Sequence, residues 1–192
     1  MYYKIISPYQ FQTVPWKNSK GSTIELLRES SGDDYFDWRV SMASVKSNSD
    51  FSDFTHYDRA LVLIGGNGIT LNHSNGQNDE LTERFNVANF DGAWQTNAVL
   101  HDGAIQDFNV MTRQGICRSQ VSTLEEKAEH RLSVDADHLL VYALGSEVTI
   151  LSPDLNSTRL PASHLLQISS VKSGEWKLTG KAIICVQIQS VV

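Results

Sequence analysis

Short runs in which apolar and polar residues alternate, separated by clusters of Gly, Asn, Asp and Ser, recur along this whole chain. A period of two is the mark of a strand that packs one face. Runs of this kind cover residues 2–6, 9–14, 24–28, 36–45, 60–64, 69–71, 81–87, 94–100, 105–113, 164–169, 174–178 and 182–190. Gly65-Gly66-Asn67-Gly68 and Gly145-Ser146 each sit between two apolar runs, which predicts hairpins over 60–71 and 139–151. Between them, residues 114–123 read as extended, and Ser122 or Thr123 with Glu125 or Glu126 predicts a capped short helix running to Arg131. Everything else reads as strand or turn, so the expected class is all-β.

The pattern also repeats. Gly66 and Gly145, Trp94 and Trp176, and Gly103 and Gly180 recur in the same order, each pair about 80 residues apart. This predicts an internal duplication: two tandem antiparallel β-barrels, jelly-roll-like, over residues 1–115 and 116–192, packed as one compact unit.

The most informative run is 105–113. Phe108 and Val110 share one face; Asp107, Asn109 and Arg113 share the other. A carboxylate, an amide and a guanidinium in a row either face solvent or, if they line a core, demand partners or a ligand, because burying them unpaired costs several kcal/mol. The corresponding run in the second copy, residues 182–188, is apolar on both faces. One barrel then has a polar lining where the other is filled, and the polar-lined one is the candidate ligand site. Arg39, Arg59 and Arg113 each sit in or beside a strand, where a guanidinium can fork onto a carboxylate ligand or pair with Asp107 or Glu25.

Composition narrows the chemistry. A net charge of −6 without any Lys/Arg cluster argues against nucleic acid or an anionic membrane as partner. No apolar run approaches a membrane span and the start lacks a signal-peptide core, so the expected location is cytoplasmic. Cys117 and Cys185 lie far apart in apolar runs and read as buried reduced thiols. The six histidines are scattered with no His-x-His, and no glycine-rich phosphate loop opens a helix; neither a metal nor an organic cofactor is expected. Exposed strand edges, where present, offer pairing for a homodimer.

Four motifs in order carry a resemblance: Pro15-Trp16-Lys17-Asn18 with Gly21, Thr23 and Glu25; Trp38-Arg39 with Ser41 and Ala43; Phe51-Ser52-x-Phe54-x-x-Tyr57-Asp58-Arg59; and Asp107-Phe108-Asn109-x-Met111-x-Arg113. Together they resemble the HutD/Ves family over nearly the whole chain. The resemblance implies a bicupin fold, a binding role for a small pathway intermediate in histidine utilisation, or a part in stress response, and no cupin metal ligands. It implies a first-barrel pocket lined by Trp16, Asn18, Thr23, Glu25, Arg39, Ser41, Arg59, Asp107, Asn109 and Arg113. Ser19, and Thr55-His56, depart from the family pattern in loops at the expected mouth, and the last motif is closer to Ves.

Two functions follow. The first is a binding protein without turnover that holds a small carboxylate on Arg39 or Arg59, with Asn18 and Asn109 as directional donors and Trp16 as a wall. The second is a metal-independent isomerase or lyase in which Glu25 or Asp107 acts as general base; it requires a carboxyl of raised pKa in the pocket.

Overall fold

Alternation becomes strand almost everywhere it occurs. The computed structural model describes residues 2–15, 21–32, 35–154 and 156–191; within them, regular structure is all β apart from one 3-10 turn at Pro8–Gln10. Among these residues no helix is long and apolar enough to cross a membrane.

The chain divides into two compact units, Phe11–Ile116, and Met1–Gln10 together with Cys117–Val192. In chain order, β1 (Tyr2–Ile6) belongs to the latter. The former holds β2 (Gln12–Pro15), β3 (Gly21–Glu29), β4 (Trp38–Val45), β5 (Ser49–Asp50), β6 (Tyr57–Gly65), β7 (Ile69–His73), β8 (Asn78–Leu81), β9 (Val87–Asp91), β10 (Thr96–Leu100) and β11 (Ile105–Arg113). These form a six-stranded sheet in the order β2-β3-β4-β11-β6-β9 and a four-stranded sheet in the order β5-β10-β7-β8. Then come β12 (Cys117–Leu124), β13 (Ala128–Val134), β14 (His138–Ala143), β15 (Val148–Leu151), β16 (Ser157–Leu160), β17 (Leu165–Ser169), β18 (Gly174–Gly180) and β19 (Ile183–Ser190). With β1 they form sheets ordered β1-β17-β14-β19-β12 and β13-β18-β15-β16.

One strand order therefore occurs twice. The sets β4-β11-β6-β9 and β5-β10-β7-β8 correspond, element for element, to β12-β19-β14-β17 and β13-β18-β15-β16. Each unit is a pair of open antiparallel sheets rather than one sheet closed into a barrel.

Several expectations are corrected. The division at residue 115/116 misplaces the N-terminus: Tyr2–Ile6 pairs antiparallel with Leu165–Ser169, so the first strand belongs with the C-terminal residues. The two expected hairpins are not hairpins. Both edges of β6 are occupied, by β11 and β9, and β7 lies in the other sheet; β14 and β15 are separated in the same way. The Gly/Asn segment does turn the chain, but out of one sheet and into the next. At Gly66, with φ +95°, an added Cβ would lie 2.6 Å from the Ala104 carbonyl oxygen, so the crossing is tight as well as left-handed. The expected helix to Arg131 is instead the end of β12, a short turn and β13, whose Leu132 and Val134 are buried on one face. The expected strand 81–87 is a turn between β8 and β9.

In Phe11–Ile116, Val45, Leu61, Leu63 and Ile105 from the larger sheet meet Ile69, Leu71, Leu81 and Ala98 from the smaller one. In the other unit, Leu139, Val141, Ala143, Ile183 and Cys185 meet Leu132, Val148, Ile150, Leu160 and Trp176. Cys117 and Cys185 are both buried, and burial pushes the Cys185 thiol up to about 12. That thiol stays protonated and behaves as a small apolar side chain.

Candidate functional site

Directly paired residues on neighbouring strands point to the same face. From β11 the inward row of the six-stranded sheet reads Ile105, Asp107, Asn109, Met111. Its partners are Val45, Ala43, Ser41 and Arg39 on β4, and Leu63, Leu61 and Arg59 on β6 opposite Asp107, Asn109 and Met111. Beyond β4, Thr23 pairs with Ala43 and Glu25 with Ser41. One end of this face is apolar and belongs to the core; the rest is polar and lines a cavity of about 490 Å³, within the range of small-molecule sites. The same row on β19, Ile183, Cys185 and Gln187, has two core side chains, and Gln187 is spent on the Ser133 carbonyl and the Asp135 amide.

Of the expected site residues, Thr23, Glu25, Arg39, Ser41, Arg59, Asp107 and Asn109 line this cavity together. Arg113 does not; its guanidinium lies 5.0 Å from the centre of the Tyr35 ring. Trp16 and Asn18 lie outside the described residues.

The polar groups form a chain. Arg59 Nη2 donates to Asn109 Oδ1 (3.1 Å), and Asn109 Nδ2 donates to Asp107 Oδ1. All three residues are buried, Asp107 with 1% of its surface exposed. Burial pushes the Asp107 carboxyl up to about 7, against the pull of Arg59, the Ala43 backbone and Asn109. Burial also lowers the Arg59 guanidinium to about 10, with Asp107 opposing and Arg39 reinforcing. Arg39 is lowered as well, chiefly by burial, while the Glu25 charge works the other way.

Neither guanidinium forms an ion pair with a carboxylate among the described residues; aromatic rings take that place. Arg59 lies 5.0, 5.5 and 4.9 Å from the ring centres of Phe51, Phe54 and Phe90, and Arg39 lies 5.1 Å from those of Phe36 and Phe54. Cation–π contact partly offsets the loss of water around a buried cation without occupying its N–H donors. Arg39 Nη2 meets only the soft sulfur of Met111 (3.2 Å), and Arg39 Nε and Arg59 Nε are buried with no hydrogen-bond partner among the described residues. Two guanidinium side chains lining one cavity fit an anion, and the guanidinium geometry matches a carboxylate.

The aromatic share of this site was not evident from the chain. Phe51, Phe54 and Tyr57 read as rings fastening a loop to the body, and they do that: Tyr57 stacks on Phe36 at 4.2 Å and donates to the Phe36 carbonyl (3.0 Å). Their second task, covering two arginines, depends on distant residues meeting and has no local signal. The available clue was an aromatic cluster ending two residues before Arg59.

No three His, Cys, Asp or Glu side chains among the described residues come together as metal ligands. His73, the buried histidine, is tied to Asp79 (3.0 Å) and Thr96 (2.9 Å) and packs on Phe90 and Trp94.

The model of the HutD family matches residues 9–186. The chain belongs to the HutD family. Within it, the chain is 36% identical over 155 residues to Protein Ves of Cronobacter sakazakii, covering 80% of this chain and 84% of that one. It is 30% identical over 148 residues to an uncharacterised 21.2 kDa protein in the hutC 3′ region of Pseudomonas putida, covering 77% and 76%. The structure of HutD from Pseudomonas fluorescens SBW25, solved in a formate condition, covers 100% of both chains with a TM-score of 0.86 at 23% identity, a likeness of fold. Protein Ylba of E. coli, 10% identical with a TM-score of 0.66 and covering 98% of this chain and 90% of that one, shares the fold alone.

Proposed function

We propose that this member of the HutD family binds a small carboxylate, without turning it over, in the cavity of the Phe11–Ile116 unit. The observation that carries this reading is the pair of guanidinium side chains, Arg39 and Arg59, that line one cavity with no carboxylate ion-paired to either among the described residues. Asn109, its amide held between Arg59 and Asp107, orients the Arg59 guanidinium, and Phe54 stands beside both arginines. Formate, named in the crystallisation of the Pseudomonas fluorescens relative, is the simplest ligand of this class. A regulatory place in histidine utilisation is proposed from the hutC-region relative, and one in stress response remains the alternative for a protein this similar to Ves. The matching strand orders support two copies of one cupin-like unit, one retaining a site and one filled.

Thermal unfolding against formate, acetate, glutamate, formylglutamate, urocanate and several sugar acids tests this. A carboxylate at 100 times its Kd adds about 2.7 kcal/mol, a rise of several degrees in Tm. Arg59→Met is expected to abolish that rise, at some cost to the unliganded protein because Asn109 and Asp107 lose their cationic partner. A rise that survives in Arg59→Met, or no rise with any carboxylate, sinks the proposal.

A second reading draws on a different observation. A buried carboxyl titrating at about 7 is poised as a general base, which favours Asp107 over Glu25 in a metal-independent isomerase or lyase. Product formed from the bound carboxylate, and lost in Asp107→Asn with binding retained, is the result expected of that reading.

A further inference from the structure

We infer that the anion site is also a proton site: Arg59 captures a carboxylate with the side chain of Asp107 protonated, so that capture above neutral pH is accompanied by uptake of one proton from solvent. The inference rests on the carboxylate reading above and adds a second ligand to it.

The geometry requires the coupling. Asn109 has one carbonyl oxygen and one amino group, and both are committed: the oxygen to Arg59 Nη2, the amino group to Asp107 Oδ1. Arg59 and an ionised Asp107 are thus already joined through one amide, and the cation's field is largely spent on its own carboxylate. Among the described residues, the charged groups facing Asp107 are few. β6 contributes Arg59, β4 Arg39, β3 Glu25, and the segment around β5 Asp50; β2 contributes only Val14 to the cavity wall, and Arg113, further along β11, lies outside it. No histidine lines the cavity.

With Asp107 and Glu25 both ionised, the two guanidiniums are already matched before any ligand arrives, and the exposed Asp50 adds a further carboxylate to the lining. An incoming carboxylate then adds another negative charge beside the buried Asp107 carboxyl, where like charges raise one another's proton affinity. A proton on Asp107 removes one of those negative charges. It also converts an acceptor-only group lining the cavity into one with an O–H to donate. No bond other than the new O–H forms, and the proton is supplied by bulk buffer. The Asp107 carboxyl, held near neutrality by burial, makes this exchange accessible at ordinary pH.

Formate is a suitable probe because it stays ionised throughout the range to be examined. Isothermal calorimetry at pH 6 to 9 is expected to show a Kd nearly flat below pH 7 and rising about tenfold per pH unit above it, the slope of one linked proton. At pH 8, titrations in phosphate and in Tris should differ in heat by the difference in buffer ionisation enthalpy multiplied by about one proton. In Asp107→Asn, which imitates the protonated form, Kd should be independent of pH and close to the wild-type value at pH 6. Formate binding with the same Kd at every pH and no buffer dependence overturns the coupling but leaves the carboxylate site standing. The wild-type slope persisting in Asp107→Asn assigns the proton elsewhere and overturns it too. Failure of formate to bind the wild-type protein at any pH removes both readings. The buffer comparison needs no variant, so the absence of a buffer-dependent heat overturns the coupling even if Asp107→Asn fails to fold.

Discussion

Without ligand, the wild-type protein is expected to lose stability as pH rises from about 4 to about 7, and Asp107→Asn to lose almost none. The carboxyl has a native pKa of about 7 and an ordinary value of 3.8 in the unfolded chain. Between those limits the native state holds a proton that the unfolded state has released, and in that window stability falls with pH. Each unit of pKa difference corresponds to 1.36 kcal/mol, so the full loss is on the order of 4 kcal/mol, a large part of the 5–15 kcal/mol of about a typical domain. Asp53 and Asp137 shift the opposite way, lowered by hydrogen bonds from Thr55 and Ser190, so their stabilising effect is present above the ordinary carboxylate value and lost below it. Urea midpoints at pH 5 and pH 8 in carboxylate-free buffer separate the cases. A wild-type protein as stable at pH 8 as at pH 5 contradicts the burial of an ionisable Asp107.

Gly92→Ala is expected to cost about 3 kcal/mol and to weaken carboxylate binding, although residue 92 does not line the cavity. An added Cβ would lie 2.4 Å from the Phe54 carbonyl oxygen and 2.8 Å from that of Tyr57. Both are backbone atoms, so no side-chain rotation relieves the clash. The same backbone is held by Phe54 N–H donating to the Gly92 carbonyl (2.9 Å) and Gly92 N–H donating to the Tyr57 carbonyl (2.7 Å). The segment that must move carries Phe54, which stands beside both Arg39 and Arg59. Gly145→Ala is the control: its Cβ would meet nothing within 4 Å, and a change within about 0.5 kcal/mol is expected. Denaturant midpoints for both variants, with formate Kd values, test the pair; equal stabilities mean that the tight approach at Gly92 is not required.

Alternation within a strand was legible because it is local: Asp107 and Asn109 against Phe108 and Val110 needed only their own order, and so did Thr23, Glu25, Arg39 and Ser41. Partnership was not. The turn at Gly66 could be read, but whether the next strand would lie beside β6 or in the facing sheet depends on β11 and β9 already occupying both edges. β13 was misread because Glu125 and Glu126 imitate a helix start, while only two buried residues, Leu132 and Val134, mark its strand period. Phe51 and Phe54 were noticed as rings, but their guanidinium partners lie on strands read separately. The elevated Asp107 carboxyl follows from complete burial, which a sequence can suggest but not measure.

The pairing of Tyr2–Ile6 with Leu165–Ser169 bears on how the chain is made. During synthesis the first strand leaves the ribosome well before its partner exists, whereas every strand of the Phe11–Ile116 unit finds its neighbours within that unit. The Phe11–Ile116 unit can therefore form while translation continues, and Tyr2–Ile6 must wait, unpaired, until Leu165–Ser169 has been made. An N-terminal tag or short deletion burdens the C-terminal unit rather than the residues that follow it in order, and such long-separation pairing places closure of that sheet among the slow, late steps of folding.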